Sequence, residues 1–400
     1  MKPLTPLKTR CSNWLHVLLA AILMPVLSGH RVIASAPYPD SPLINGLALN
    51  WSTHRRGAQG SDNFQLTWAD DDHLYGAWGD GGGFGGTNSK GRVGIGVARI
   101  AGPAHHWTGT NRWGGFHPEH PAQFGGRGKS WGMICTEGTL YMLVVPDVVP
   151  GKGYRNHYEY VEIWSSTDHA ATWRKPIWRF HQSENLTIPT FLNFGKDNAS
   201  VPAPLAGYVY VYFIRPQSPT MEQQGPHGVG LIVHKPGAIY LARVEAENIA
   251  RRKSDYEFYA GPDPAGNPRW ADITHKQPVF TDPQGVGWCM SAHYNPALKR
   301  FILCTEHGAS HAGQIGIFDA PTPWGPWTTV VYHTPDNPFG KRRPGSDLPW
   351  RNNVFFLAFP TKWLAPDGKS FTLNFTGSGQ GADNDAFNTV SGTFTLAAPK

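Results

Sequence analysis

One short unit recurs along this chain, and its recurrence constrains the fold more than any single motif does. A tight turn followed by an apolar, aromatic-rich strand appears at Asp72–Trp78, Glu137–Leu143, Ala206–Tyr212, Leu298–Cys304 and Asp367–Leu373. The starts lie about 60 to 90 residues apart, roughly one propeller blade plus its loops. A preceding strand is expected at Phe64–Trp68, Ser130–Cys135, Pro189–Asn193, Trp288–Tyr294 and Val354–Pro360. A following one is expected at Val93–Ile100, Tyr160–Ser165, Ala238–Val244, Gln314–Phe318 and Val390–Leu396. Five such units of three to four antiparallel strands predict an all-β chain closed as a five-bladed β-propeller, because a ring covers both faces of every sheet and leaves no free edges. Leu43–Trp51 is placed as the outer strand of the last blade. A β-sandwich is the competing architecture, and it would not require five similar hairpins.

Composition agrees with many short strands. The chain holds 46 Gly and 35 Pro, and no long stretch places apolar residues at helical spacing. Residues 1–36 read as a secretion signal: Lys2, Lys8 and Arg10 precede an uncharged apolar run, Leu15–Leu27, and Ala34-Ser35-Ala36 forms a small-x-small cleavage site. An uncleaved anchor is the alternative. Residues 37–400 then form a single domain, exported to the periplasm or the medium and with no later run long enough to span a membrane.

Losing that segment removes Lys2, Lys8, Arg10 and Arg31 and no acid, which lowers the formal charge from +6 to +2. Such a balance excludes a nucleic-acid binder, and the short Lys341-Arg342-Arg343 run reads as a solvated loop. Cys135, Cys289 and Cys304 read as small buried hydrophobes, with a Cys289–Cys304 pair across a hairpin as the alternative. A monomer is expected.

The stretch Ser61–Phe84 contains the sharpest candidate chemistry. Phe64, Leu66 and Trp68 alternate, Asp70-Asp71-Asp72 turns the chain, Leu74–Trp78 returns, and a glycine-rich loop follows Asp80. Asp62 and Asp80 stand at the adjoining ends of this hairpin, so both carboxylates should emerge on one sheet edge. Paired carboxylates perform acid/base or nucleophilic work on glycosidic bonds. The bland reading is that Asp suits turns and the glycines serve only the hairpin.

In a propeller, the heads of the innermost strands and the loops from second to third strand share one face. Read this way, the face gathers Asp62, Asp80, Arg127, Lys129, Asp147, Arg215, His293, Glu306, His307, His311, Lys362 and Asn374. Asp70–Asp72, Asp197 and Asp367 fall on the opposite face. We assign Asp62 as general base or nucleophile and Asp80 or Glu306 as general acid. Lys129, Arg127, Arg215, His293 and His307 are placed as substrate-binding and charge-tuning groups. Phe84 and Trp113 are the candidate sugar-stacking faces. Trp113 lies in the long Ala101–Gly128 linker with Trp107, and packing on an outer strand would explain both tryptophans equally. The histidines match no specific zinc spacing. No cofactor is required, although a structural cation in the channel is compatible with the fold.

Ser166-Thr167-Asp168-His169-Ala170-Ala171-Thr172-Trp173 resembles the Asp box of sialidase-like propellers, with Ala170 at the usual glycine. The resemblance implies a structural device away from the catalytic face, so Asp168 is not a catalytic candidate.

From about Gly57 to Tyr332 the chain is also similar to domain-of-unknown-function family 4185. The matching residues include Gly60-Ser61-Asp62-Asn63, Trp68-Ala69-Asp70-Asp71, Gly79-Asp80-Gly81-Gly82-Gly83-Phe84, Phe194-Gly195-Lys196-Asp197, Ile239–Val244, Tyr256–Gly261, Tyr294-Asn295-Pro296 and Ala320–Trp327. The resemblance implies a five-bladed propeller. Some similar proteins form glycoside hydrolase family 183, endo-acting on D-arabinan, and related propellers cleave other glycans, so the resemblance implies a furanosyl or other polysaccharide as substrate. The family's leading acid maps to Asp62, Asp80 is a matched acid, Glu306 has no family match, and Asp197 is held in reserve. The other function classes considered are a non-catalytic glycan-binding propeller and a polysaccharide lyase using a histidine or Tyr294 as base.

Overall fold

Short turns with residues in the left-handed region set the hairpins. Glu137 and Gly138, at φ 52° and 68°, close the two-residue connection between Thr136 and Thr139, as a twist-matched hairpin turn requires. At Asp70–Asp72 the turn is sealed by Ala69 N donating to His73 O at 2.9 Å and by the Trp68 indole donating to Asp72 Oδ1 at 2.9 Å. The computed structural model describes residues 35–118, 128–146, 160–217, 232–340, 354–377 and 385–398. Most of the expected leader, Arg127, Asp147 and Lys341-Arg342-Arg343 lie outside the described residues.

Among the described residues the fold is all-β, with only single 3-10 turns beside the strands. Asp62–Trp68, Leu74–Gly79, Ile95–Ala101 and Thr108–Trp113 form the first antiparallel sheet in chain order. Gly128–Thr136, Thr139–Pro146, Tyr160–Ser166 and Phe180–His181 form the second. A third is built from Thr187–Asn193, Tyr208–Ile214 and Gly237–Glu245, with Glu257–Pro262 and Pro278–Asp282 both paired to the last of these. Met290–Asn295, Arg300–Glu306, Ile315–Ala320 and Thr328–Tyr332 follow as the fourth. In the last sheet Phe356–Ala358, Ser370–Thr376 and Phe387–Leu396 are joined by Ile44–Gly57 from the other end of the chain.

The leading strands of these sheets are neighbours in sequence order. Asp62–Trp68 lies beside Gly128–Thr136, that strand beside Thr187–Asn193, then Met290–Asn295, then Phe356–Ala358, which packs back on the first. Thr187–Asn193 and Met290–Asn295 pair in parallel through Leu192–Ala292 and Asn193–His293, so their heads point the same way. Gln65, Met133, Thr190, Ser291 and Ala358, one from each leading strand, line a common cavity.

Apolar residues on both faces of these strands pack sheet against sheet. Trp78, Trp131, Phe64 and Phe191 are fully buried, and removing a ring of this kind from such a core costs about 3–5 kcal/mol. Ser166 Oγ donates to Asp168 Oδ1 at 2.7 Å, and Thr172 N donates to the same oxygen at 2.9 Å. Ala170 sits at φ 68°, the conformation for which the motif normally uses glycine. Trp173 packs at 6.4 Å from Trp113, which in turn meets Trp164 edge-on at 6.0 Å. Cys135, Cys289 and Cys304 are all buried free thiols, so the alternative disulfide is not formed. Among the described residues no helix is long and apolar enough to cross a membrane.

Candidate active site

The antiparallel register of the first hairpin pairs Asp62 with Gly79, which places Asp80 directly alongside Asp62. A register shift between Asp62 and Gln65, with Asn63 at φ 69°, makes a bulge at this strand head. Bulges re-aim side chains at sheet rims. Asp80 itself lies at φ 52°. The glycine loop behind it folds onto Ser61, whose hydroxyl accepts from Gly83 N at 2.9 Å. A Cβ on Gly81 would come within 2.2 Å of Gly60 O, so only glycine lets the loop sit so close.

Two cations hold Asp80. Lys129, from the head of the second leading strand, donates directly to Oδ1, and Arg92 Nη2 lies 3.0 Å from Oδ2. The Lys129 side chain is only 6% exposed, whereas that of Asp80 is 26% exposed. Asp62 is deeper, at 8% exposure, with no hydrogen-bond partner for Oδ1 among the described residues. Burial pushes its carboxyl well above the usual range. Lys129 opposes that rise, and the charges of Asp80 and Asp385 add to it. An isolated buried carboxylate is costly, and keeping its proton is the cheaper state. Thus two cations pair with Asp80, while burial favours the neutral form of Asp62. The electrostatics therefore exchange the states on which the sequence-based roles of these two acids depended.

A third carboxyl belongs to this cluster and was missed from sequence. Asp385 accepts from Gly60 N through its backbone oxygen at 2.7 Å, two residues before Asp62. Its carboxyl is pushed up to about 6, first by burial and then by the charge of Asp80, against Lys129, Arg56 and Arg92. In the sequence it is one Asp in a Gly-Ala-Asp-Asn-Asp run with no strand periodicity. Only the pairing of the last sheet, which sets Gly57 against Phe387, brings it here.

Glu306 is adjacent but enclosed. It is 0% exposed, accepting from His311 N at 2.8 Å and from the Ser310 hydroxyl at 3.4 Å. Burial holds its carboxyl well above the usual range. Cys289, whose thiol is held well above its usual range chiefly by burial, lies between Glu306 and Asp62 and donates to Asn63 Oδ1 at 2.7 Å. Glu306 therefore braces the 306–311 loop behind the site and cannot meet a substrate as its general acid.

The remaining candidates are dispersed. His307 is buried, stacked on Tyr332 at 3.6 Å, with its pKa pushed down to about 3 by burial. His293 lines the central cavity against Phe359 at 5.2 Å and is likewise driven down to about 3. Both are neutral groups of the interior rather than charged contacts for substrate. Arg215 Nη2 donates to Pro236 O at 3.0 Å, and Arg215 is not among the charges that act on Asp62 or Asp385. Trp113 packs on Trp164 and Trp173, and Phe84 packs among Phe64, Trp107 and Phe387. Packing rather than sugar stacking thus accounts for these two faces. Lys362 binds the Asp72 carboxylate at 3.1 Å, at the turn end opposite Asp62, and Asn374 donates to Phe64 O inside the core. Asp197 also lies at the turn end, accepting from Gly138 N and the Cys135 thiol. There Asp70, Asp71 and His169 bring possible ligand atoms within 4.8 Å of one another. The cavity between the leading strands offers amides, hydroxyls and the His293 imidazole but no carboxylate, a set that lacks the anionic oxygens on which calcium sites rely.

No family model and no curated protein matches the chain, so its resemblance to family 4185 rests on the motifs quoted above. Solved structures do align. An α-L-arabinofuranosidase from Podospora anserina shares 11% identity at a TM-score of 0.45, over 87% of this chain and 94% of that one. A GH43_1 enzyme from Xanthomonas citri shares 13% at 0.45, over 88% and 93%. A xylan β-1,4-xylosidase from Bacillus halodurans shares 11% at 0.44, over 88% of this chain, which spans about half of its length at 54%. With TM-scores below 0.5, these likenesses assign no residue and no substrate.

Proposed function

We propose that this protein is an exported glycoside hydrolase, built as a five-bladed propeller, that cleaves a polysaccharide of the furanosyl type such as D-arabinan. The observation that carries the catalytic reading is the Asp62–Asp80–Asp385 cluster, in which one carboxylate is ionised under Lys129 and Arg92 and its neighbours are driven toward the protonated form. Glycoside cleavage needs this division: a protonated carboxyl for the leaving oxygen and an ionised one for the incoming water or the anomeric carbon. Asp80 takes the ionised role because it is paired with two cations yet open to solvent. Asp62 stays neutral behind it and tunes its charge.

Support for five blades comes from the closed succession of leading strands and the cavity they share. Support for export comes from the basic start, apolar run and small-x-small site of residues 1–36. The furanosyl substrate follows from the family resemblance alone. Incubation with a glycan panel including arabinogalactan tests the reading: new reducing ends are expected with wild type and not with Asp80→Asn. Oligosaccharide recovered intact after binding would instead make this a glycan-binding propeller. Products absorbing in the ultraviolet would make it a lyase.

A further inference from the structure

We infer that Asp385 is the proton donor of this site, the carboxyl that delivers a proton to the leaving oxygen. This rests on the hydrolase reading above and completes it with a residue no motif marks. Accessibility and engagement separate the four acids. Glu306 is enclosed, with hydrogen bonds to both oxygens, and Asp62 is almost fully buried. Asp80 is clamped by Lys129 and Arg92. Asp385 is partly buried, as Asp80 is, but among the described residues its carboxyl makes no side-chain hydrogen bond or ion pair that a ligand would have to displace.

Its position is fixed from both sides. The Gly60 N to Asp385 O hydrogen bond and the Gly57–Phe387 register tie it to the chain leading into Asp62. The charged groups facing it are Asp80 from the first hairpin, Arg92 from the loop after it, Lys129 from the second sheet and Arg56 from the strand paired beside it. Asp62 senses its charge in turn. Asp80 favours the protonated form of Asp385, and the three cations oppose it. With burial, the balance leaves a group that titrates near pH 6, where a carboxyl can both hold and release a proton.

The reaction balances. The C1–O bond breaks with its electron pair on the leaving oxygen, which takes the Asp385 proton. Water supplies hydroxyl to C1, and its remaining proton restores the carboxyl pair.

Two readouts test this. In full-length protein labelled with 13C at aspartate carboxyls, the resonance missing from Asp385→Asn should titrate near pH 6 in wild type and move lower in Asp80→Asn. A resonance titrating near pH 4, unmoved by Asp80→Asn, would overturn the inference. With arabinogalactan, Asp385→Asn should lose about 100-fold or more in rate, the usual scale for a missing general acid. On a dinitrophenyl furanoside, whose leaving group needs no proton, the loss should be under about 10-fold. Equal losses on both substrates would make Asp385 a merely structural residue. Wild type that releases nothing from any glycan would instead sink the hydrolase reading, and the donor role with it, whatever the titration shows.

Discussion

The ion pair between Lys129 and Asp80 should show a measurable coupling energy, and a double-mutant cycle reads it directly. Lys129 is nearly buried and makes a short contact to Asp80. Breaking a fully buried pair by removing one partner costs about 3–5 kcal/mol. Here Asp80 is partly wet and keeps Arg92, so Lys129→Met should cost about 2 kcal/mol. Asp80→Asn should cost less, about 1 kcal/mol, because losing the Asp80 charge removes one of the influences that keep Asp62 neutral. The Asp62 carboxyl then shifts toward its ionised form beside Lys129. The double variant loses nothing further from the pair, giving a coupling of about 1–2 kcal/mol. Urea unfolding of the four proteins at pH 7 supplies the numbers. Additivity within about 0.5 kcal/mol would refute the direct pairing of Lys129 with Asp80.

Three further outcomes follow from the same structure. Asp62 holds a proton in the folded chain that the unfolded chain releases above its ordinary pKa of 3.8. Its stabilising contribution is therefore present below that value and declines as pH rises; Asp62→Asn should flatten the fall in urea midpoint between pH 4 and pH 7, and an unchanged slope would count against a neutral Asp62. A Cβ at Gly79 would lie 2.6 Å from Asp62 Oδ1 and 3.4 Å from Lys129 Nζ. Gly79→Ala should thus lower product release more than 10-fold while circular dichroism stays native, and full activity would mean the pair is not part of the site. Asp168, drawn down to about 2 by the hydrogen bonds of its turn, should lose about 1 kcal/mol on Asp168→Ala at neutral pH. That loss should shrink as pH falls from 4 toward 2, and a loss independent of pH would assign the effect to packing of the turn instead.

The juxtaposition of Asp62, Asp80 and Lys129 in the candidate site was legible because local pairing dictates it. Alternation in Phe64–Trp68 and the acidic turn set the register that brings Asp62 beside Asp80, and the recurring unit located Lys129 at a neighbouring strand head. What stayed hidden depended on depth and on ring closure. Glu306 sits in the expected loop, but sequence does not reveal that Ser310 and His311 enclose it. His307 and His293 read as substrate-binding groups on a loop and a strand, yet they are buried. Phe84 and Trp113 had the chemistry of sugar platforms, and tertiary packing absorbed both. Asp385 comes from a run without periodicity, more than 300 residues from Asp62, and joins it only because Phe387–Leu396 pairs with Ile44–Gly57.

Reducing-end release from arabinogalactan, measured side by side for wild type, Asp80→Asn and Asp62→Asn, tests the central claim most directly. The account predicts new reducing ends with wild type, a fall of 100-fold or more with Asp80→Asn, and a smaller fall with Asp62→Asn, whose buried neutral form the amide imitates. Undiminished release by Asp80→Asn would contradict the assignment of the ionised carboxylate and, with it, the chemistry read from this cluster.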